Sequence, residues 1–184
     1  MLEAGDNAPK FEFEDQDGKK FFFPEGFNGK WLALHFLRHL GCPLCMEKLN
    51  TLKSNLKRYT DSGIELCVVV QSTARRVTEY ARDKGILFHL IADHDKVYYD
   101  LYEVKRGGLA AFLAPSVMVA SVRSTLKGNL HGPFEGDELQ KPAAFLINPQ
   151  GKIALAHYGK NIADIISEDK FFEVFNQLKQ GKGK

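Results

Sequence analysis

Two of the three cysteines in this 184-residue chain stand three positions apart, as Cys42-Pro43-Leu44-Cys45. A nearly all-apolar run over residues 31–37 precedes them and predicts a buried strand, and apolar residues at helical spacing follow and predict a packed helix. A thiol at the N-terminus of a helix lies near free backbone N–H groups and the positive end of the helix dipole. Both stabilise the thiolate, which is the reactive form of cysteine, so the pattern predicts thiol chemistry.

The two thiols are expected to have different environments. Cys42 falls at the start of the helix, where its sulfur can face solvent, whereas Cys45 lies one turn further on, at the head of the apolar face. Dithiol exchange requires an accessible thiolate that attacks first and a sheltered thiol that then closes an intramolecular disulfide. Pro43 suits the first helical turn, because its missing N–H is not needed there and its φ angle is already helical. A Cys-x-x-Cys motif beside a strand–helix pattern is therefore typical of a redox site.

A structural zinc site is the main alternative interpretation of the two thiols. Zinc takes four ligands, and the candidates are Cys67, expected to be a core residue of a central strand, His35 in the buried run, and His39. This alternative is disfavoured, and no metal is expected. Attached haem is disfavoured because Met46 rather than histidine follows Cys45, and an iron–sulfur cluster needs one more cysteine than the chain has. No cofactor is predicted.

The composition is that of a soluble globular protein, with 44% hydrophobic and 26% charged residues. A net charge of +2 argues against nucleic-acid binding, and the apolar runs are too short to span a membrane. The N-terminus has no basic region followed by an apolar core, so no secretory signal is expected. Three cysteines do not form a secreted disulfide framework, so we expect a cytoplasmic protein whose motif cycles between two redox states. The length fits one domain over residues 1–184.

The order of predicted elements is that of an α/β sandwich. Alternating phenylalanines on both sides of residues 15–19 predict an N-terminal hairpin. The apolar run Ile64–Val70 predicts a strand buried on both faces, hence parallel to its neighbours. Ser72 is expected to cap a helix that ends at Gly85, and Asp95 to cap the next helix. Strands and helices that alternate in this way predict parallel central strands.

An insert over residues 107–140 is longer than a usual connection between elements. It begins with Gly107-Gly108, continues as an apolar segment over residues 109–127 that is predicted to be helical, and ends as a loop. Pro115 is either an interruption or a first-turn residue of that helix. We expect the insert to form a wall or lid over the motif, or an association surface. A homodimer is one assembly that the sequence allows.

The chain closes with a hairpin and a helix. Pro142 opens the first hairpin strand, where proline is tolerated, residues 148–152 form the turn, and Ser167 caps the last helix. Because this hairpin adds antiparallel strands to parallel ones, the predicted sheet is mixed. Ligands of such sheets lie beyond the C-terminal ends of the strands, where the strand over residues 31–37 places Cys42.

These features resemble the thioredoxin fold and, more closely, the peroxiredoxin-like proteins of the alkyl hydroperoxide reductase / thiol-specific antioxidant superfamily. The resemblance covers nearly the whole chain and rests on three pieces of sequence: Phe36-Leu37-Arg38-His39-Leu40-Gly41-Cys42-Pro43-Leu44-Cys45, Gly136-Asp137 before Pro142, and Phe145-Leu146-Ile147-Asn148-Pro149-Gln150-Gly151-Lys152-Ile153. It implies a thioredoxin-like mixed sheet flanked by helices, with an N-terminal β-hairpin and a helical insert before the closing hairpin.

The resemblance also implies roles for residues near the motif. Cys42 is the attacking thiol, Cys45 the resolving thiol, and Pro142 a cis-proline that faces them. Arg38 resembles the arginine that this subfamily carries just before its motif, and it either favours the thiolate or is a solvated charge.

The chain departs from the family pattern at two positions. True peroxiredoxins carry proline and threonine or serine seven and three residues before the attacking cysteine, and here His35 and His39 stand at those distances from Cys42. The hydroxyl that orients the peroxide is therefore missing. His39 is either a proton shuttle that favours the thiolate or a surface histidine without a role.

The predicted function is that of a cytoplasmic, peroxiredoxin-like thiol oxidoreductase with antioxidant activity. Cys42 attacks a peroxide or a disulfide, Cys45 closes the intramolecular disulfide, and an external dithiol reductant of the thioredoxin or glutathione type reduces it. One alternative is a disulfide reductase for proteins or small molecules that lacks peroxidase activity. The other is a non-enzymatic redox sensor, in which oxidation reshapes the insert and changes a partner contact.

Overall fold

The strands in the described part of the chain form two sheets. The computed structural model describes residues 1–27, 29–108, 115–130, 132 and 135–181. The strands in these residues are β1 (Phe11–Glu14), β2 (Lys20–Phe23), β3 (Trp31–Phe36), β4 (Ile64–Val70), β5 (His89–Ala92), β6 (Ala143–Ile147) and β7 (Ile153–Tyr158). The first two form the predicted N-terminal hairpin, and the others form a sheet with the strand order β5-β4-β3-β6-β7.

The strand directions in the five-stranded sheet are those that the sequence predicts. β3 runs parallel to β4, and β4 to β5, whereas β6 pairs antiparallel with β3 and β7 antiparallel with β6. All six residues of β3 are buried because this strand has neighbours on both edges and cover on both faces. Leu34 lies beside Cys67 on one side and Phe145 on the other, and Cys67 is the buried core residue that was expected.

Helices cover the five-stranded sheet. In the described residues the α-helices are α1 (Pro43–Asp61), α2 (Ala74–Lys84), α3 (Val97–Leu101), α4 (Pro115–Leu126) and α5 (Glu168–Gly181). Side chains alternate across β3, so Ala33 joins a core formed with α1, α2 and α5, while Leu34 joins a core formed with the hairpin and α3. Among the described residues, no helix is both long and apolar enough to cross a lipid bilayer.

The capping residues of two helices differ from the sequence prediction. Thr73, not Ser72, caps α2, because the Ser72 hydroxyl accepts a hydrogen bond from the Leu40 N–H at 3.0 Å. The carboxylate of Asp93, not that of Asp95, accepts the N–H groups of the first three residues of α3, at 2.7–3.1 Å. In the first case the predicted cap is used instead to hold the turn that precedes the motif.

The insert over residues 107–140 lies against the motif. Its predicted helix is confirmed for Pro115–Leu126, and residues 109–114 lie outside the described part of the chain. The Ser124 hydroxyl donates a hydrogen bond to the Pro43 carbonyl at 2.9 Å. This contact ties α4 to the first turn of α1, so this part of the insert forms a wall beside the thiols.

Candidate active site

The turn between β3 and α1 carries the two thiols. Cys42 is the N-cap of α1, with the extended backbone (φ −82°, ψ 123°) that a cap requires, and Pro43 is the first helical residue. The Cys42 Sγ accepts a hydrogen bond from the Cys45 N–H at 3.4 Å. The sulfur therefore occupies the place of the side-chain oxygen that usually caps a helix, as the position of the motif predicts.

Both cysteines of the motif are buried, which corrects one expectation. Cys42 is 0% exposed and Cys45 is 2% exposed, so the Cys42 sulfur does not face solvent. The Arg38 guanidinium covers the Cys42 Sγ, and the insert covers the preceding residue, where Gly132 N–H donates to the Gly41 carbonyl at 2.9 Å. The expectation of an exposed thiol was wrong because helical position alone does not reveal groups that approach from elsewhere in the chain.

Arg38 is a buried partner of the Cys42 thiolate. Its Nη2 donates to the Cys42 Sγ at 2.7 Å, and the residue is only 4% exposed, so it is not a solvated charge. Burial raises the pKa of Cys42, but hydrogen bonds with Cys45 and the charge and hydrogen bond of Arg38 outweigh burial and lower it to about 6. Cys42 is therefore largely a thiolate at neutral pH.

The other two cysteines are held as neutral thiols. Burial raises the pKa of Cys45 well above its ordinary value, and its hydrogen bond with Cys42 and the nearby Cys42 charge raise it further. The Cys45 Sγ also accepts the Arg38 backbone N–H at 3.2 Å. Burial likewise raises the pKa of Cys67 well above its ordinary value. The motif thus pairs one thiolate with one protonated thiol.

His39 is buried, so the interpretation as a surface histidine is wrong. Its Nδ1 accepts the Gly41 N–H at 3.2 Å, and its Nε2 lies 2.8 Å from Oε1 of Glu138. Burial lowers the pKa of His39, against the attraction of Glu138, which acts to raise it. The ring is therefore neutral at neutral pH and contacts a carboxylate.

His35 is a core residue of β3. Its ring packs 5.5 Å from that of Phe171, measured between centroids, and burial lowers the pKa of His35 well below its ordinary value. His35 is therefore a neutral core residue of the sheet. Across the described ranges, no three His, Cys, Asp or Glu side chains lie close enough together to hold a metal ion.

Pro142 directly precedes β6 but does not have the predicted cis peptide bond. Within the described ranges the cis bond lies between Phe23 and Pro24, and the bond between Lys141 and Pro142 is trans. The trans form is the default for proline, favoured by about 0.5–1 kcal/mol. The Pro142 carbonyl instead accepts the Gly159 N–H at 2.8 Å, which joins β6 to the end of β7.

Two acidic residues of the insert were not identified from the sequence: one contacts the turn before the motif, and the other contacts Ser72, which holds that turn. Glu138 accepts from Arg38 Nη1 at 2.9 Å through Oε2 and contacts His39 through Oε1. Glu135 accepts the Ser72 hydroxyl at 2.5 Å. The one signal for them was the density of carboxylates shortly before Pro142, which does not say what they contact.

Known proteins are similar to this chain in sequence and in fold. Bovine peroxiredoxin-like 2C is 24% identical over 160 residues, which are 82% of this chain and 70% of the relative. The thiol-disulfide oxidoreductase ResA of Bacillus subtilis is 22% identical over 182 residues, 98% of this chain and 79% of the relative. The crystal structure of peroxidoxin BcpB from Mycobacterium tuberculosis has a similar fold, with a TM-score of 0.69 at 15% identity and 98% coverage of both chains.

The sheet, the helices and the paired thiols define a thioredoxin-like protein with a dithiol site. A family model described as the AhpC/TSA family matches residues 4–156, and the chain belongs to this family. It is an enzyme with thiol oxidoreductase activity, as the position of the Cys42–Cys45 motif predicts. The predicted thioredoxin-like, peroxiredoxin-like fold is confirmed.

Proposed function

We propose that this enzyme reduces a peroxide, with Cys42 as the attacking thiol and Cys45 as the resolving thiol. The observation that carries the proposal is the 2.7 Å hydrogen bond from Arg38 Nη2 to the Cys42 Sγ in a buried site. The guanidinium offsets the cost of burying a negative sulfur, so Cys42 is ready to attack while Cys45 keeps its proton.

The proposed reaction has three steps. The Cys42 thiolate attacks one peroxide oxygen, an S–O bond forms, the O–O bond breaks, and the alkoxide or hydroxide leaves and takes a proton from water. The Cys45 thiol then attacks the Cys42 sulfenic acid, so that an S–S bond forms and one water leaves. An external reductant, either one dithiol of the thioredoxin type or two molecules of glutathione, finally reduces the disulfide by thiol–disulfide exchange and is itself oxidised to a disulfide.

Burial of Cys42 favours a small oxidant over a bulky one. Its sulfur lies beneath the Arg38 guanidinium, and the insert covers the adjacent Gly41. A peroxide molecule needs little space to reach this sulfur, whereas a protein disulfide could reach it only if the insert moved away from the motif. We place the cycle in a reducing compartment such as the cytoplasm, where external dithiols are abundant.

Rapid mixing with hydrogen peroxide tests the proposal. The fully reduced protein is mixed with a few equivalents of peroxide, quenched with an alkylating reagent, and its free thiols are counted by intact mass. We expect rapid loss of two of the three thiols, with Cys67 as the one that remains. Cys42→Ser should abolish the loss, and Cys67→Ala, the matched control, should leave it unchanged. Slow loss in the wild type, or loss in Cys42→Ser, would contradict the proposal.

Disulfide reduction without peroxidase activity is the second candidate function. His39 favours it, because it stands where peroxiredoxins carry the hydroxyl that orients the peroxide, and its ring faces Gly41 and Glu138. The two functions are separated by the initial rates with hydrogen peroxide and with a small aromatic disulfide under the same conditions. A protein that turns over the disulfide but not the peroxide is a disulfide reductase.

A further inference from the structure

The Arg38 side chain connects the thiolate to a carboxylate of the insert. Its guanidinium donates to the Cys42 Sγ through Nη2, at 2.7 Å. Its Nη1 donates to Glu138 twice, to the backbone carbonyl at 2.5 Å and to Oε2 at 2.9 Å. A guanidinium has a fixed planar arrangement of donors, so the Glu138 contacts at one nitrogen set the direction of the other.

The second carboxylate oxygen of Glu138 lies at His39. Because the Gly41 N–H donates to Nδ1, the neutral ring carries its hydrogen on Nε2, which lies 2.8 Å from Oε1 of Glu138. One carboxylate therefore contacts two residues of the turn before the motif, Arg38 through one oxygen and His39 through the other.

Glu138 is itself held in place by the segment around it. The Asp137 N–H donates to Oε1 of Gln71 at 2.8 Å, and a Cβ on Gly136 would lie 2.8 Å from the same oxygen, so the backbone approaches Gln71 closely. On the other side, Gln140 donates from its side chain to the Val104 carbonyl at 2.8 Å. Glu138 therefore belongs to a segment that hydrogen bonds hold in place on both sides of it.

We propose that Glu138 is a positioning residue of the dithiol site, whose carboxylate holds the Arg38 guanidinium against the Cys42 sulfur and fixes the His39 ring. The inference rests on Cys42 as the attacking thiol of the proposed function. Its test measures the ionisation of Cys42, which can be measured whether or not a peroxide is a substrate. Failure of one proposal is therefore distinguishable from failure of the other.

The effect of Glu138 on the thiolate has two parts of opposite sign. Its negative charge disfavours a second negative charge nearby, whereas its contacts with Arg38 keep the positively charged guanidinium next to the sulfur. Because Arg38 is in direct contact with the Cys42 sulfur, we expect positioning to outweigh repulsion. Cys45 and His39 are the titratable partners already described, and in the described part of the chain Glu135 faces His39, while Tyr80 and Tyr99 face Cys45.

The experiment compares Glu138→Ala, Glu138→Gln and the control Asp137→Asn. The control changes the neighbouring carboxylate, which pairs with Arg106 and Lys96 and not with the turn. The pH dependence of Cys42 alkylation by iodoacetamide is measured on each reduced protein, with the modified cysteine assigned by peptide mapping. Circular dichroism confirms that each variant is folded.

Glu138→Ala should raise the pKa of Cys42 by about one unit, which makes alkylation about fivefold slower at about pH 6 but not at about pH 9. Glu138→Gln should keep the wild-type pKa or lower it, because its amide oxygen still accepts from Arg38 and the repelling charge is gone. Three results would overturn the proposal: a Glu138→Ala pKa at or below that of the wild type, a rise in Glu138→Gln equal to that in Glu138→Ala, or an equal rise in Asp137→Asn.

Discussion

Replacement of Arg38 by methionine should change how the reduction potential of the Cys42–Cys45 pair depends on pH. Arg38→Met keeps most of the side-chain volume but removes the charge and the hydrogen bond at the Cys42 sulfur. The disulfide carries no charge, so Arg38 stabilises mainly the reduced, thiolate form. Removal of Arg38 should therefore make the protein a weaker oxidant wherever Cys42 is ionised in the wild type.

The size of the effect follows from the pKa of Cys42, which is about 6. Below this pH, reduction takes up two protons for two electrons, and the potential falls by about 59 mV per pH unit; above it, one proton is taken up, and the slope is about 30 mV. Loss of a neighbouring opposite charge raises a thiol pKa by roughly 1–3 units. A rise of about two units in the pKa of Cys42 lowers the reduction potential by about 50 mV at about pH 8 and by much less at about pH 5.

The potential is measured by equilibration with glutathione redox buffers across the pH range, with the oxidised fraction read by intact mass after alkylation. Arg75→Met is the matched control, since Arg75 is an arginine of α2 whose side chain is 88% exposed and paired with Glu79. For the wild type and the control, the slope of the reduction potential against pH should change near pH 6. If Arg38→Met changes slope at the same pH as the wild type, Arg38 does not offset the burial of the thiolate, and the electrostatic account of the site is wrong.

Three further perturbations are predicted from the same contacts. The Cys42 pKa is lowered from 9.0 to about 6, so the free energy of unfolding of the reduced protein should rise as the pH rises from about 6 to about 9, by at most ~4 kcal/mol. Urea unfolding across this pH range measures the rise, which should be absent in Cys42→Ser. Burial lowers the pKa of His35, so the free energy of unfolding should decrease as the pH falls below about 6.5, by up to ~1.4 kcal/mol per pH unit. His35→Leu should reduce the slope of the free energy of unfolding against pH in this range. Gly159→Ala should cost roughly 1–3 kcal/mol in thermal unfolding, because its Cβ would lie 2.9 Å from Cγ and Cδ of Pro142; an unchanged melting temperature would show that the hairpin moves aside freely.

Local sequence patterns predicted most of the secondary structure. The burial of β3 and β4, the start of α1 at Pro43 and the left-handed Gly85 at the end of α2 depend on residues within a few positions of one another. Ser167 caps α5 as predicted, with its hydroxyl 3.3 Å from the Lys170 N–H. Such features follow from periodicity and capping chemistry, which are local properties of the chain.

The environment of the site could be predicted only in part. The sequence places Cys42 at a helix start, but its burial depends on the insert and on the direction of the Arg38 side chain. Glu138 is 100 residues from Arg38, and no periodicity connects positions so far apart. Ser72 was predicted as a helix cap because caps are local, yet it bonds to Leu40, 32 residues away.

The contact between Gly132 and Gly41 has a consequence for sequence variation. The Gly132 N–H bonds to the Gly41 carbonyl at 2.9 Å, and a Cβ on Gly132 would lie 3.1 Å from the Gly41 Cα, closer than side chains normally approach a backbone. A larger residue at position 132 therefore requires the motif turn or the insert to shift. In relatives that keep this insert, changes at the two positions are expected to covary, and insertions should accumulate on the side of the insert away from the thiols.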